Sequence, residues 1–269
     1  MDTARSRIPV IGRRLGALAL GAALAIGLLG APVSAAERHR VEVGDRADFV
    51  AQTNFVQCIG ASLQMMINMI EPGRDRTAKE QLRLQELARY HSPSRPDGRQ
   101  RQGASVRGWV RVLLGEVEQP YRLVGLDTLE EAVTLAARAM DETGAPVGLL
   151  VWRGRHAWVM GGYESTKPLS EGGRVTKAVI YDPLHPYGSS VWGPSPKPGQ
   201  AISMEALGRQ FVPRRQSARF GALSGKYVLV LPYERTRSLA RRPVEDAPPA
   251  VPAALLEGAR IISPRVVPW

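Results

Sequence analysis

The pattern of apolar and polar positions changes character once along the chain. In the first half it repeats near 3.6 residues. From Cys58, apolar residues fall at Ile59, Leu63, Met66, Ile67 and Ile70, which predicts a helix over 53–70 stopped by Pro72-Gly73. Residues 77–90, with Leu82, Leu84 and Leu87, predict a second amphipathic helix. Residues 105–115, carrying Trp109, Val112 and Leu113, predict a shorter third one. Residues 128–143 predict a fourth, opened by a Thr128–Glu131 capping box and closed before Gly144. The stretch 91–103, full of Pro, Gly, Ser and Arg, reads as a loop.

Beyond residue 146 the apolar runs become short, rich in Val and aromatics, and bounded by Gly or Pro. Residues 147–152, 156–163, 178–181 and 227–231 therefore predict strands, with Arg153-Gly154-Arg155 turning between the first two. Residues 37–50 alternate and read as an opening strand or arm. Residues 183–200 read as a Pro/Gly loop and 204–211 as a short helix. Helices followed by antiparallel strands, without an internal repeat, predict an α+β fold.

The ends differ from this core. Arg5, Arg7, Arg13 and Arg14 precede an unbroken apolar, small-residue run over 15–31, and Val33-Ser34-Ala35-Ala36 supplies a small-x-small cleavage site. This is the pattern of a secretory signal. The alternative is an uncleaved anchor, since the run approaches the ~20 residues of a spanning helix. The Arg13-Arg14 pair alone is a weak twin-arginine pattern. The expected organisation is a signal peptide or anchor over 1–36, one domain over 37–235, and a loosely ordered Pro/Arg-rich tail over 236–269. The expected location is secreted or periplasmic, with membrane contact only through an uncleaved N-terminal segment.

At 269 residues, 44% hydrophobic and 23% charged, the chain has material for one sizeable core. Its net charge of +11 favours anionic partners. Scattered solubilising arginines are the simpler reading: the densest basic stretch, 95–107, lacks the interleaved aromatics of a base-stacking surface, so no specific nucleic acid is expected. The chain holds one cysteine, Cys58. It forms no internal disulfide and is a reactive thiol, an intermolecular bridge or a buried small hydrophobe.

Its surroundings favour the first. Cys58 lies near the start of an apolar helix, where partial positive charge and unpaired N–H groups favour a thiolate. Gln52, six positions earlier, is placed to return its amide to the same point and form a two-donor oxyanion hole with the Cys58 N–H. His156 opens a predicted strand and offers an imidazole to take and return the thiol proton. Asp182 ends the next strand, where its carboxylate can hold the imidazole tautomer. His185, in Leu184-His185-Pro186, is a rival base, and Gln57 a rival donor that should point elsewhere on the helix. Trp158 shares a strand face with His156 and either shields it or packs in the core. His39 and His91 have no assigned role, and Met65, Met66 and Met69 read as core fillers.

Three stretches carry a family resemblance: Gln52-Thr53-Asn54-Phe55-Val56-Gln57-Cys58-Ile59-Gly60-Ala61-Ser62, then Gly154-Arg155-His156-Ala157-Trp158-Val159-Met160-Gly161-Gly162-Tyr163, then Val179-Ile180-Tyr181-Asp182-Pro183. Here the chain resembles the papain-like cysteine peptidases, and within them the bacterial group that includes the double-glycine (bacteriocin-processing) leader peptidases. The resemblance covers about residues 45–232. It implies an N-terminal helical lobe with the Cys on its central helix, packed on a C-terminal antiparallel sheet lobe carrying His and Asp. It places the family's Gln, Cys, His and Asp/Asn on Gln52, Cys58, His156 and Asp182, and implies a cysteine-type peptidase acting on a peptide or protein substrate. Two departures bear on the substrate class: Ile59 stands where papain itself has an aromatic, and no fused transporter segment is present. Acyl transfer to an amine, or a silent peptide- or wall-polymer-binding module, are the alternatives on the same scaffold. No cofactor is expected, and neither is a metal: one Cys and scattered His have no ligand spacing. There is no Walker-type loop, and Gly161-Gly162 lacks the dinucleotide fingerprint.

Overall fold

Asn54 sets where the first helix begins. Its side-chain carbonyl accepts the Val56 N–H (3.0 Å), its backbone carbonyl accepts the Gln57 N–H (3.3 Å), and Thr53 Oγ1 hydrogen-bonds the Gln57 side chain. These local bonds compete with helical ones. Residues 53–57 therefore turn, and α1 (Cys58–Ile70) starts at Cys58 rather than at the predicted residue 53. The computed structural model describes residues 39–234 except 72, 74, 95–97, 100 and 101. The expected signal or anchor over 1–36, the tail over 236–269 and the Pro72 of the helix stop lie outside the described residues.

The other helices follow their caps. Thr77 caps α2 (Ala78–Tyr90) by accepting Glu80 N at 3.2 Å, and Ser105 caps α3 (Val106–Glu116) by accepting Gly108 N at 3.1 Å. The expected capping box opens α4 (Leu129–Thr143), with Thr128 and Glu131 each bonding the other's backbone at 3.1 Å. It closes on Gly144, whose φ of 65° suits glycine. Arg83 joins α2 to α3 by bonding both Glu80 and Glu116. A short α5 (Met204–Gly208) follows later in the chain.

Seven strands form one antiparallel sheet. They are β1 (His39–Glu42), β2 (Tyr121–Leu126), β3 (Val147–Val151), β4 (His156–Ser165), β5 (Val175–Tyr181), β6 (Gln200–Ser203) and β7 (Tyr227–Pro232). The order is β2-β7-β3-β4-β5-β6, and β1 pairs with the far half of β4, from Gly162 to Ser165. The predicted strands over 147–152, 156–163, 178–181 and 227–231 are all present. β2 and β6 were not predicted: β2 is an edge strand that buries fully only Tyr121, and β6 has four residues of which only Ile202 is buried.

The fold is mixed helix and antiparallel sheet, as expected, with helices packed on both faces of the sheet. Ile59, Leu63 and Met66 of α1, with Leu84 of α2 and Trp109 of α3, share a core with Leu150, Ala157, Val159 and Val179 on one sheet face. Ala132, Val133, Ala136 and Met140 of α4, with Leu207 of α5, share another with Leu149, Val151, Trp158 and Met160 on the opposite face. Because neighbours along a strand point to opposite faces, β3 and β4 feed both cores. β4 is buried at every position. Covering both faces explains its continuous apolar run, in place of simple alternation. Met65 and Met66 are core residues, and Met69 packs partly buried against them. Among the described residues, no helix is long and apolar enough to cross a membrane.

Candidate active site

The start of α1 meets the start of β4 and the end of β5. Pairing of Val159 with Tyr181 brings the residue after β5, Asp182, alongside the first residue of β4, His156. His156 Nε2 lies 2.7 Å from Asp182 Oδ1, and both side chains are buried. The carboxylate is an acceptor, so Nε2 carries the proton of this bond and Nδ1 faces away from it. The Cys58 side chain also adjoins the His156 ring and favours its protonated form. Burial works against the imidazolium. The Asp182 charge and hydrogen bond, and then Cys58, outweigh it and push the His156 pKa up to about 9.

Asp182 is held from two further directions. Leu184 N–H donates to Oδ1 at 2.8 Å, and the buried Ser195 hydroxyl donates to Oδ2. A carboxylate with three donors has little freedom to rotate, and it transmits that order to His156.

At Cys58, Gly60 allows α1 to press on α2: a Cβ at Gly60 would sit 2.8 Å from Gln81 O and 2.9 Å from Gln85 Cβ. Gln85 accepts Gly60 N–H (3.0 Å) and donates to Val56 O (3.1 Å). Gln81 accepts Thr53 N–H (2.8 Å) and donates to Ala51 O (3.0 Å). Two glutamines one helical turn apart thus hold both ends of the loop joining Gln52 to Cys58. α1 has no acidic residue in its first turn to offset its positive end. Among the described residues, no acceptor pairs with the Cys58 backbone N–H.

Gln52 is anchored by its backbone, which donates to Pro183 O at 2.8 Å, next to Asp182. Its side-chain nitrogen donates to Asn54 O at 2.8 Å and keeps a second N–H. A cleft of about 440 Å³ is lined by Gln52, His156, Trp152, Leu184 and Trp192, with Arg153, Arg155 and Arg215 along one side. Cys58 is half-buried and is not part of the cleft wall; His156, which it contacts, is. Gln57, the rival donor, is buried and turned toward Thr53.

The shield on His156 is Trp152, not Trp158. The Trp152 and His156 rings stack 4.2 Å apart at 21°, whereas Trp158 lies wholly in the core under α4. Trp152 and Arg153 both have φ of 55°, and Gly154 has φ of 89°. Two consecutive non-glycine residues in the left-handed region cost about 1–2 kcal/mol each. Gln210 holds the turn: its backbone carbonyl accepts Trp152 N–H and its side-chain oxygen accepts the Trp152 indole N–H, each at 3.0 Å. The other rival, His185, lies edge-on to Phe49 at 6.2 Å and lines a separate cleft of about 240 Å³, with its Nδ1 buried and unpaired. Asp182 orients His156 and not His185.

The four sequence-derived residues thus gather at one place: Cys58, His156 and Asp182 in a chain of contacts, Gln52 across the same cleft. Sequence reasoning missed Ser195, Trp152, Gln210, Gln81 and Gln85. For two of these a signal existed. Gln81 and Gln85 fall on the helix face that carries Leu84 and Ala88, and polar residues on an apolar face call for partners. Among the described residues, no group of three His, Cys, Asp or Glu side chains is gathered to hold a metal ion. No protein-family model matches the chain, and no curated protein matches it.

Proposed function

We propose that the protein is an exported papain-like thiol hydrolase, a cysteine-type peptidase in which Cys58 is the nucleophile. The observation that carries the reading is the buried His156–Asp182 pair with the half-buried Cys58 beside His156, and Gln52 and His156 on the wall of one cleft. The exported location rests on the residue pattern of 1–36 alone.

The chemistry follows from the geometry. The proton given up by the thiol rests on His156 Nδ1, which holds it up to about pH 9, and the sulfur adds to a substrate carbonyl carbon. The carbonyl oxygen becomes an oxyanion for which the free Cys58 N–H and the second Gln52 amide N–H are the proposed donors. His156 then gives its proton to the leaving amine as the C–N bond breaks, leaving a thioester on Cys58. Water, deprotonated by His156, attacks that thioester, releases a carboxylic acid and restores the thiol. Asp182 keeps Nε2 protonated throughout and stabilises the imidazolium; it accepts no proton itself. Trp152 covers the ring and keeps bulk water from the pair.

The test is alkylation of the native protein by iodoacetamide near neutral pH. The reading expects one modified site, Cys58, reacting faster than free cysteine, with proportional loss of peptide hydrolysis. Modification only after denaturation sinks it.

A further inference from the structure

The cleft is electrically lopsided. Arg153, Arg155 and Arg215 line one side of it, all three exposed, and none of its lining residues is an Asp or Glu. None of the three makes an ion pair among the described residues, although Arg40, Arg83, Arg89 and Arg209 each do. The adjoining smaller cleft shares Gln52, Phe55 and Leu184 with it but adds only Pro183, His185, Pro186, Tyr187 and their neighbours, without an arginine or lysine.

The arginines are placed there by backbone at a cost. Arg153 is itself one of the two left-handed residues of the turn, and its carbonyl accepts the Arg215 N–H at 3.3 Å, drawing two separate segments together at the cleft edge. Further cations crowd behind them. Burial first, then Arg219 and Arg107, hold Arg214 down to about 10. Like charges kept together without carboxylates repel one another, and an anionic ligand relieves that repulsion.

We infer that the cleft selects an acidic peptide segment, one whose Asp or Glu side chain sits against Arg153, Arg155 and Arg215 while apolar neighbours occupy the Phe55–Leu184–Tyr187 side. The inference deepens the thiol-hydrolase reading: it names the substrate class of the same site. Guanidinium groups bind carboxylates through paired, parallel N–H donors, so three of them in one wall discriminate charge rather than shape. The exposed Phe55, Tyr187 and Val191 supply the apolar contact.

Two measurements on the full chain test it and separate its failure from that of the thiol reading. Cys58, the one cysteine, is alkylated with anionic iodoacetate and with neutral iodoacetamide, and the rate ratio is compared with that of free cysteine. The ratio is expected to exceed the free-thiol value by about tenfold at low salt, the lower end of electrostatic steering. It collapses near 0.5 M salt, where screening acts over roughly 4–5 Å. His156 attracts iodoacetate as well, so the decisive comparison is an Arg153→Gln/Arg155→Gln/Arg215→Gln variant. There the ratio falls at least about fivefold, the iodoacetamide rate cancelling any change in the reactivity of the thiol itself, since a neutral reagent is not steered.

The second measurement does not need a reactive thiol. Tryptophan fluorescence of the Cys58→Ala protein, reported by Trp152 and Trp192 at the cleft, follows binding of a peptide with one Glu between apolar residues and of its Gln counterpart. The Glu peptide is expected to bind at least about fivefold tighter, and the triple variant to lose that margin, consistent with a bidentate charge-assisted pair. Equal affinity, no saturable binding of either peptide, or tighter binding of a single-stranded oligonucleotide overturns the inference. Failure of Cys58 to react with either reagent overturns the thiol reading alone, and the peptide comparison still decides the charge preference.

Discussion

His156 Nε2 and Asp182 Oδ1 lie 2.7 Å apart at the seam between β4 and β5, both shut away from solvent. In the proposed reaction the pair sets the direction of proton traffic: with Nε2 committed to the carboxylate, Nδ1 is the nitrogen left to exchange a proton with Cys58. Asp182→Asn keeps the size and loses the charge. Hydrolysis of a peptidyl-coumarin amide should fall about a hundredfold, the scale of a general acid–base contribution. The alkaline limb of the rate profile, expected near the His156 value of about 9, should move toward the ordinary histidine range, because the main influence raising it is gone. A limb that stays near pH 9 in the variant contradicts the assignment.

The same pair makes folding stability depend on pH. His156 binds its proton more tightly folded, at about 9, than unfolded, at the ordinary 6.5. The folded state therefore holds more protons between these values. The contribution is complete below pH 6.5 and is lost as pH rises through 9. Its size is at most a few kcal/mol. Urea midpoints at pH 6 and pH 9.5 should differ in that direction, and His156→Gln should remove most of the difference.

Gln81 bonds the backbone on either side of Gln52, so in the proposed mechanism it positions the Gln52 amide. Gln52→Ala should lower turnover about a hundredfold by removing one oxyanion donor. Gln81→Ala frees Thr53 N–H and Ala51 O on either side of Gln52. It should lower kcat about tenfold with little change in KM, as a 1 Å misplacement does. In the double variant the losses should not add, because a misplaced amide is already absent. Full additivity would show that Gln81 only stabilises the fold.

Gln210→Ala tests the turn that carries the shield. It strips the Trp152 indole N–H of its acceptor and leaves the backbone bond in place. Loss of one buried hydrogen bond costs about 1–3 kcal/mol, visible in the thermal midpoint. If the Trp152 stack orders His156, the hydrolysis rate falls about three- to tenfold beyond any loss from unfolding at the assay temperature. Unchanged kcat with a lowered midpoint would make the turn a purely structural device.

Local chemistry was legible where one element decides it. The α4 capping box is two residues three apart, and the α1 stripe is one helical face, so both could be read directly. The start of α1 could not, because Asn54 and Thr53 divert residues 53–57 by bonds that leave the apolar period unchanged. β2 escaped for a related reason: at the edge of the sheet, all its residues but Tyr121 stay partly or fully exposed, and Arg122 and Gly125 interrupt its apolar run. Of the site, Cys58, His156, Asp182 and Gln52 could be named because each sits at an element's end or beside a motif.

By itself the chain of amino acids determined the element types, the switch from helical to strand periodicity, and the chemical identity of a lone thiol, an imidazole, a carboxylate and an amide in order. Those are properties of residue type and near neighbours. Tertiary structure alone decided that β3 and β4 feed cores on both faces, that Trp152 and not Trp158 stacks on His156, and that Ser195 completes the Asp182 shell. It also decided that Arg153, Arg155 and Arg215 share one cleft wall. These depend on sheet register and on turns that join segments dozens of residues apart, and contacts of that span leave no period in a sequence.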